Sequence, residues 1–191
     1  MPDKAAHNRN GSLSASEYVE CIRSGDAAAF ERLFLMYYNS LCRFVNKYLN
    51  STELSEDVVQ EVFAKIWENR EDWVLKTSLQ SYLYKACKNK ALDHIKHIKV
   101  KQRYLQENSD QEITDNGLAS DPLEKSDFIK DAQKAIEQLP KRSKLIYKLH
   151  RQDGLTYREI SEVLEISQKT VESQMSIALK TLRKKLSSYV S

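Results

Sequence analysis

Along most of this chain the apolar residues return every three or four positions, and little interrupts them. Phe30, Leu33, Phe34, Tyr37, Leu41, Phe44, Val45 and Tyr48 mark one face between 26 and 49. Leu54, Val58, Val59, Val62, Phe63, Ile66 and Trp67 do the same over 53–67. A third stretch, from about Ser78, carries Leu79, Tyr82, Leu83, Ala86, Cys87, Ala91, Leu92 and Ile95. That spacing follows the helical repeat of about 3.6 residues, whereas a half-buried strand alternates every second residue. Only 4 Gly and 3 Pro occur in 191 residues, too little punctuation for a hairpin-rich fold. An all-α chain is predicted, its first three long helices closing a bundle through short connections. Gly25-Asp26 supplies a break and a cap before the first of them, and Ser51 or Thr52 caps the second.

Charge divides the chain where periodicity does not. The net charge of +3 is mild, but its distribution is blocky. Residues 50–72 sum to −5, 76–106 to +7, 107–127 to −6 and 128–191 to +6. Two basic blocks separated by an acidic strip suggest two polyanion-binding units. The strip is also poor in apolar residues and rich in Asn, Ser, Asp and Gly, a composition that disfavours helix. The expected organisation is a flexible N-terminus (1–15), a helical domain (16–105), an acidic flexible linker (106–125) and a four-helix domain (126–191).

The last domain has the clearest punctuation. Helices are predicted over Ser126–Leu139, stopped by Pro140, and over Ser143–Arg151, ended by Asp153-Gly154 with Gly suited to a left-handed cap. Thr156 and Glu159 have capping-box spacing for a third helix, and Ser167 opens a fourth that runs to about Leu186. Ile160, Val163 and Leu164 point inward, Ile166 fills the corner, and Val171, Met175, Ala178 and Leu182 answer from one face of the last helix. This is helix-turn-helix spacing. It leaves Lys169, Glu172, Ser173 and Ser176 outward, where a recognition helix meets base edges, with Lys180, Arg183, Lys184 and Lys185 further along for phosphates. Glu165 stands where such a turn prefers Gly or Asn.

At these residues the sequence resembles a known family. Leu155-Thr-Tyr-x-Glu-Ile-Ser followed by Ile166-Ser-x-x-Thr-Val-Glu-Ser resembles the C-terminal domain of extracytoplasmic-function (ECF) sigma factors of bacterial RNA polymerase. Glu56-Asp57-Val-Val-Gln60-Glu61-Val-Phe63-Ala-Lys-Ile-Trp67 is similar to their polymerase-binding helix, and Ser81-Tyr-Leu-Tyr84-Lys-Ala-Cys-Lys-Asn89-Lys-Ala-Leu-Asp93 to their −10 helix. Leu139-Pro140 with Arg142 and Tyr147 resembles the lead-in to the −35 domain. The motifs stand in the family's order across roughly residues 20–187.

The resemblance implies a function. Asp57, Gln60, Glu61, Phe63, Lys65 and Trp67 would dock on a coiled coil of the polymerase's largest subunit. Lys76, Tyr82, Tyr84, Lys85, Lys88, Asn89, Lys90, Asp93 and Lys96 would take the −10 single strand. In that set the lysines bind phosphate, the tyrosines stack on bases and Asn89 shapes a pocket for a flipped base. The loop Arg70–Ser78 would complete that pocket. Arg158, Ser167, Gln168, Lys169, Thr170, Glu172, Ser173, Ser176 and Lys180 would meet duplex DNA at −35. Many family members carry arginine at the positions of Glu172 and Gln174; here Glu can accept from cytosine N4 and Gln can pair with adenine. Ile177, on the outer side, has no role in this set. The implied partners are core polymerase, promoter DNA and an anti-sigma factor. The linker reads either as a plain spacer or, by the resemblance, as a segment threading the polymerase near the RNA path.

Other classes fit less well. A stand-alone helix-turn-helix regulator needs a dimerisation element for paired half-sites, and no heptad seam is present. A nuclease with Asp57 and Glu61 as metal-binding carboxylates lacks further carboxylates aimed at the same place. His94 and His97, three apart, lack further ligands, so no metal, cofactor or catalytic residue is expected. Cys21, Cys42 and Cys87 read as buried thiols of a reducing compartment. Met1 to Ser16 is polar and no apolar run approaches a membrane span, so a cytoplasmic protein without membrane insertion is expected.

Overall fold

The computed structural model describes residues 13–105 and 127–187. The expected acidic linker and nearly all of the expected N-terminal tail lie outside the described residues. Helix is the only extended regular element among those described, arranged in two compact units.

The first unit comprises α1 (Ala15–Arg23), α2 (Ala27–Leu49), α3 (Thr52–Glu68), a 3₁₀ turn (Arg70–Asp72) and α4 (Leu79–Leu105). Asp26 caps α2 by accepting from the Ala29 N–H at 2.9 Å. Ser51 caps α3, and the α2–α3 connection is only two residues because Asn50 adopts the left-handed conformation (φ 51°) that asparagine tolerates. Leu33, Leu41, Phe44 and Val45 of α2 meet Val58, Val59, Val62, Phe63 and Ile66 of α3 and Leu79, Leu83, Tyr84, Cys87 and Ala91 of α4. Burial pushes the Cys87 thiol up, so it stays protonated, while Cys21 and Cys42 are only half-buried, not the fully buried thiols expected. α1 does not follow from the long-range periodicity. It is held by a capping box between Ser14 and Glu17, by burial of Tyr18 and Ile22, and by the Arg23 Nε–H donating to the Glu71 carbonyl.

The second unit comprises α5 (Asp127–Glu137), α6 (Lys141–Arg151), α7 (Tyr157–Leu164) and α8 (Gln168–Lys185). α5 ends earlier, and α6 begins earlier, than the sequence suggests. Proline disfavours helix at the residue before it, which excludes Leu139. Pro140 does not only stop a helix: its carbonyl accepts the Lys144 N–H at 2.8 Å and so opens α6. Ala135, Leu139, Ala178 and Leu182 form one core cluster, and Ile146, Leu149, Leu155, Ile160, Val163, Val171 and Met175 are also buried. Glu137 receives the ammonium groups of Lys148 (2.5 Å) and Lys144 (3.4 Å). Partial burial opposes ionisation there, but these two lysines outweigh it and hold the carboxyl below its usual range.

The corner between α7 and α8 is built as its residues dictate. Thr156 and Glu159 complete a reciprocal capping box. Gly154 takes φ +77° ahead of it, and the ring Nδ1–H of His150 donates to the Leu155 carbonyl at 2.8 Å. Glu165 occupies the left-handed region at φ 56°, with its N–H and that of Ile166 both donating to the Ser161 carbonyl. Glutamate, unlike glycine or asparagine, is strained there. Glu165→Gly should therefore raise the unfolding free energy of this unit by about 1 kcal/mol, read as an increase in its melting temperature.

Candidate nucleic-acid and partner interface

Both units present polar helix faces backed by core. On α3, Asp57, Gln60, Glu61 and Lys65 are exposed, as a docking face requires. Phe63 is not on that face. It is 2% exposed and sits edge-on to Phe34 at 5.0 Å and to Phe30 at 5.9 Å. Its assignment as a partner anchor is corrected: the aromatic side chain fills the groove between α2 and α3. Trp67 is half-buried, with Phe30 on one side at 4.9 Å. The guanidinium of Arg70 lies 4.7 Å from its ring centroid and donates to the Trp67 carbonyl. Arg70 thus belongs to the same surface, and the three-residue spacing from Trp67 was the signal in the sequence.

On α4, Lys85, Asn89, Asp93 and Lys96 are exposed and succeed one another at steps of four, four and three, which makes one stripe. Lys96 pairs with Asp93 at 3.4 Å. Tyr82 lies half-buried one turn before the stripe, its ring 5.7 Å from that of the buried Trp73. Lys76 is exposed in the connection leading in. Lys90 points to the side, toward α3, where it forms an ion pair with Glu61.

Two residues assigned to this surface are elsewhere. Tyr84 is fully buried with its ring 5.0 Å from Phe44, so it offers no stacking face. Lys88 is 8% exposed, on the inner side of the helix. The reason is shared: α4 packs against both α2 and α3, so its buried arc is wider than the single stripe that the apolar spacing draws.

In the second unit, Arg158 of α7 and Ser167, Gln168, Lys169, Glu172, Ser173, Ser176 and Lys180 at or along α8 are exposed. Thr170 is half-buried, its hydroxyl 2.8 Å from that of the N-cap Ser167. Arg158 pairs with Glu162 at 3.1 Å. Gln174 departs from a base-reading role. The buried hydroxyl of Ser143 donates to its Oε1 at 2.8 Å, tying α8 to α6 and turning the amide away from the outer face. Val171, Met175, Ala178 and Leu182 are buried beneath, so the outward direction of α8 is fixed by packing.

A short helix, a tight corner and a second helix with a polar outer face define a helix-turn-helix DNA-binding unit, here on a chain whose other helical unit carries a lysine stripe. Comparison with known proteins agrees. Residues 33–99 match the family described as Sigma-70 region 2, and residues 129–182 match Sigma-70, region 4. The ECF RNA polymerase sigma factor SigW of Bacillus subtilis (strain 168) is 24% identical over 177 residues, covering 88% of this chain and 94% of its own length. The ECF RNA polymerase sigma-E factor of Escherichia coli (strain K12) is 26% identical over 191 residues, covering 91% and 95% respectively. The sigma factor RpoE from Bartonella quintana, solved with the anti-sigma factor NepR, shares the fold. Its TM-score is 0.53 at 18% identity, over 83% of this chain and 96% of that one. The chain belongs to the sigma-70 family, as an ECF sigma factor.

Proposed function

We propose that this chain joins core RNA polymerase in the cytoplasm, directs it to promoters and holds the opened strand, while catalysing nothing itself. The exposed face of α3 docks on the polymerase, with Trp67 and Arg70 at its edge. The α4 stripe, with Lys76 and Tyr82, takes the −10 strand, and α7 with α8 reads the −35 duplex. The observation that carries this reading is the pair of outward polar faces, on α4 and on α8, each set by the core packed beneath it in its own unit. Lysine on both faces supplies the sequence-independent affinity, and the uncharged polar residues among them address bases. Strand opening then needs no nucleotide hydrolysis, because binding energy favours the unpaired form. An anti-sigma factor, the partner that the Bartonella relative carries in its crystal, is the expected regulator.

Run-off transcription with bacterial core polymerase on a promoter library tests this. The expected result is a set of new start sites that share two spaced upstream elements. Asn89→Ala should shift the preference at the downstream element while changing stability by no more than about 0.5 kcal/mol, since the residue is exposed. No new transcripts, with tight duplex binding by the chain alone, would replace this reading by that of a stand-alone regulator.

A further inference from the structure

Ile177 is 44% exposed in the middle of α8, a helix that buries Val171, Met175, Ala178 and Leu182; Leu179, 41% exposed, is its other large apolar residue at the surface, two positions on and so turned well away from Ile177. Ile177 lies six residues after Val171 and two after Met175, which turns it away from that core. Its neighbours one turn either way on the outer side are Ser173 and Lys180, both exposed. In a helix the side chain leans toward the N-terminus, so the Ile177 methyl groups cover the surface above Ser173. A branched apolar group therefore sits inside the face that meets DNA.

The polar groups around it have much of their hydrogen-bonding capacity engaged. The Ser173 hydroxyl donates to the Lys169 carbonyl at 2.9 Å, and the Thr181 hydroxyl donates to the Ile177 carbonyl at 2.9 Å. The hydroxyls on the row of Ile177 thus have their hydrogens engaged, and the donor left beside it is the Lys180 ammonium, exposed one turn on. What Ile177 itself offers is dry hydrocarbon. In the major groove the hydrocarbon group that distinguishes a base pair is the 5-methyl of thymine.

We propose that Ile177 is a specificity-determining residue of the −35 reader and selects an A·T pair by packing against the thymine 5-methyl group. This rests on the sigma-factor reading above. It assigns the apolar position on the helix a base partner, and predicts that discrimination at one pair of the element survives without any hydrogen bond to that base.

Uracil differs from thymine by that methyl alone, so the test is a substitution on the DNA. Thymines of the −35 element, on either strand, are replaced singly by uracil in promoter duplexes. Binding and initiation are then measured with the complete holoenzyme carrying the wild-type chain, Ile177→Ala or Ile177→Val. One uracil should weaken wild-type binding roughly four-fold, the loss equivalent to one buried methyl group. The same uracil should leave Ile177→Ala unaffected, whereas Ile177→Val, which keeps the branched methyls, should remain sensitive. Uracil sensitivity equal in wild type and Ile177→Ala, or none at any position, overturns the assignment while promoter-directed initiation still upholds the sigma reading. A −35 element composed wholly of G·C pairs does the same. Failure to initiate at any promoter overturns both.

Discussion

Phe63→Ala is expected to lower the unfolding free energy of the first unit by about 3–5 kcal/mol, the usual cost of emptying a buried aromatic site. The ring is 2% exposed and meets Phe30 and Phe34, so its loss leaves a cavity between α2 and α3 rather than a smoother surface. Small domains are stable by only about 5–15 kcal/mol, so a large part of that margin goes. Both tryptophans of the chain, Trp67 and Trp73, lie in this unit, so denaturant unfolding followed by fluorescence reports it selectively. Phe63→Leu, which keeps most of the volume, should recover much of the stability and bind polymerase normally. If Phe63 instead touched the polymerase, both variants would lose affinity while the unfolding midpoint stayed near that of the wild type. Trp67→Ala provides the contrast: half-buried beneath Arg70, it should cost less stability and more polymerase affinity.

The second large effect concerns the α4 surface. Replacing Lys76, Lys85 and Lys96 together by glutamine should weaken holoenzyme binding to a partly single-stranded promoter on the order of tenfold to a hundredfold at about 0.15 M salt. The slope of log affinity against log salt should fall by roughly 2, since each lost phosphate contact on a single strand removes about 0.7. Lys96 gives up its ion pair with Asp93, but that pair is solvent-exposed and worth at most about 1 kcal/mol, so folding is retained. An unchanged salt slope, with circular dichroism showing an intact fold, would remove these lysines from the DNA path. The −35 face should be indifferent: duplex discrimination at the upstream element is expected to survive the triple change.

Much of this is legible in the sequence itself. Thr156, Glu159, Gly154 and Ser167 announce their helix ends by side-chain chemistry that acts within a few residues, and the structure uses each in that way. Glu165 was readable as a local conflict and is found in the strained conformation that the corner demands. What sequence could not resolve depends on neighbours far along the chain. α1 is short and earns its place through Tyr18, Ile22 and the reach of Arg23 to Glu71, forty-eight residues away. Tyr84 and Tyr82 look alike two positions apart, yet one enters the groove beside Phe44 and the other lies against Trp73 at the surface. The choice between them is made by the second helix packed on α4, which no periodicity on α4 itself records. The tie of Gln174 to α6 escapes the sequence for the same reason, since its partner Ser143 lies thirty-one residues earlier.

Among the described side chains of α4 the last buried one is Ala91, and from Leu92 to Ile98 none is fully buried, whereas the helix itself extends to Leu105. Starting a helix in water is unfavourable, while lengthening one that exists costs little per residue. The bundle therefore serves as the nucleus, and the basic turns beyond it grow by propagation from a seed already formed. A peptide of those turns alone would have to nucleate before it met a strand; here that step is completed when the protein folds, and the cationic turns are set in line with the core.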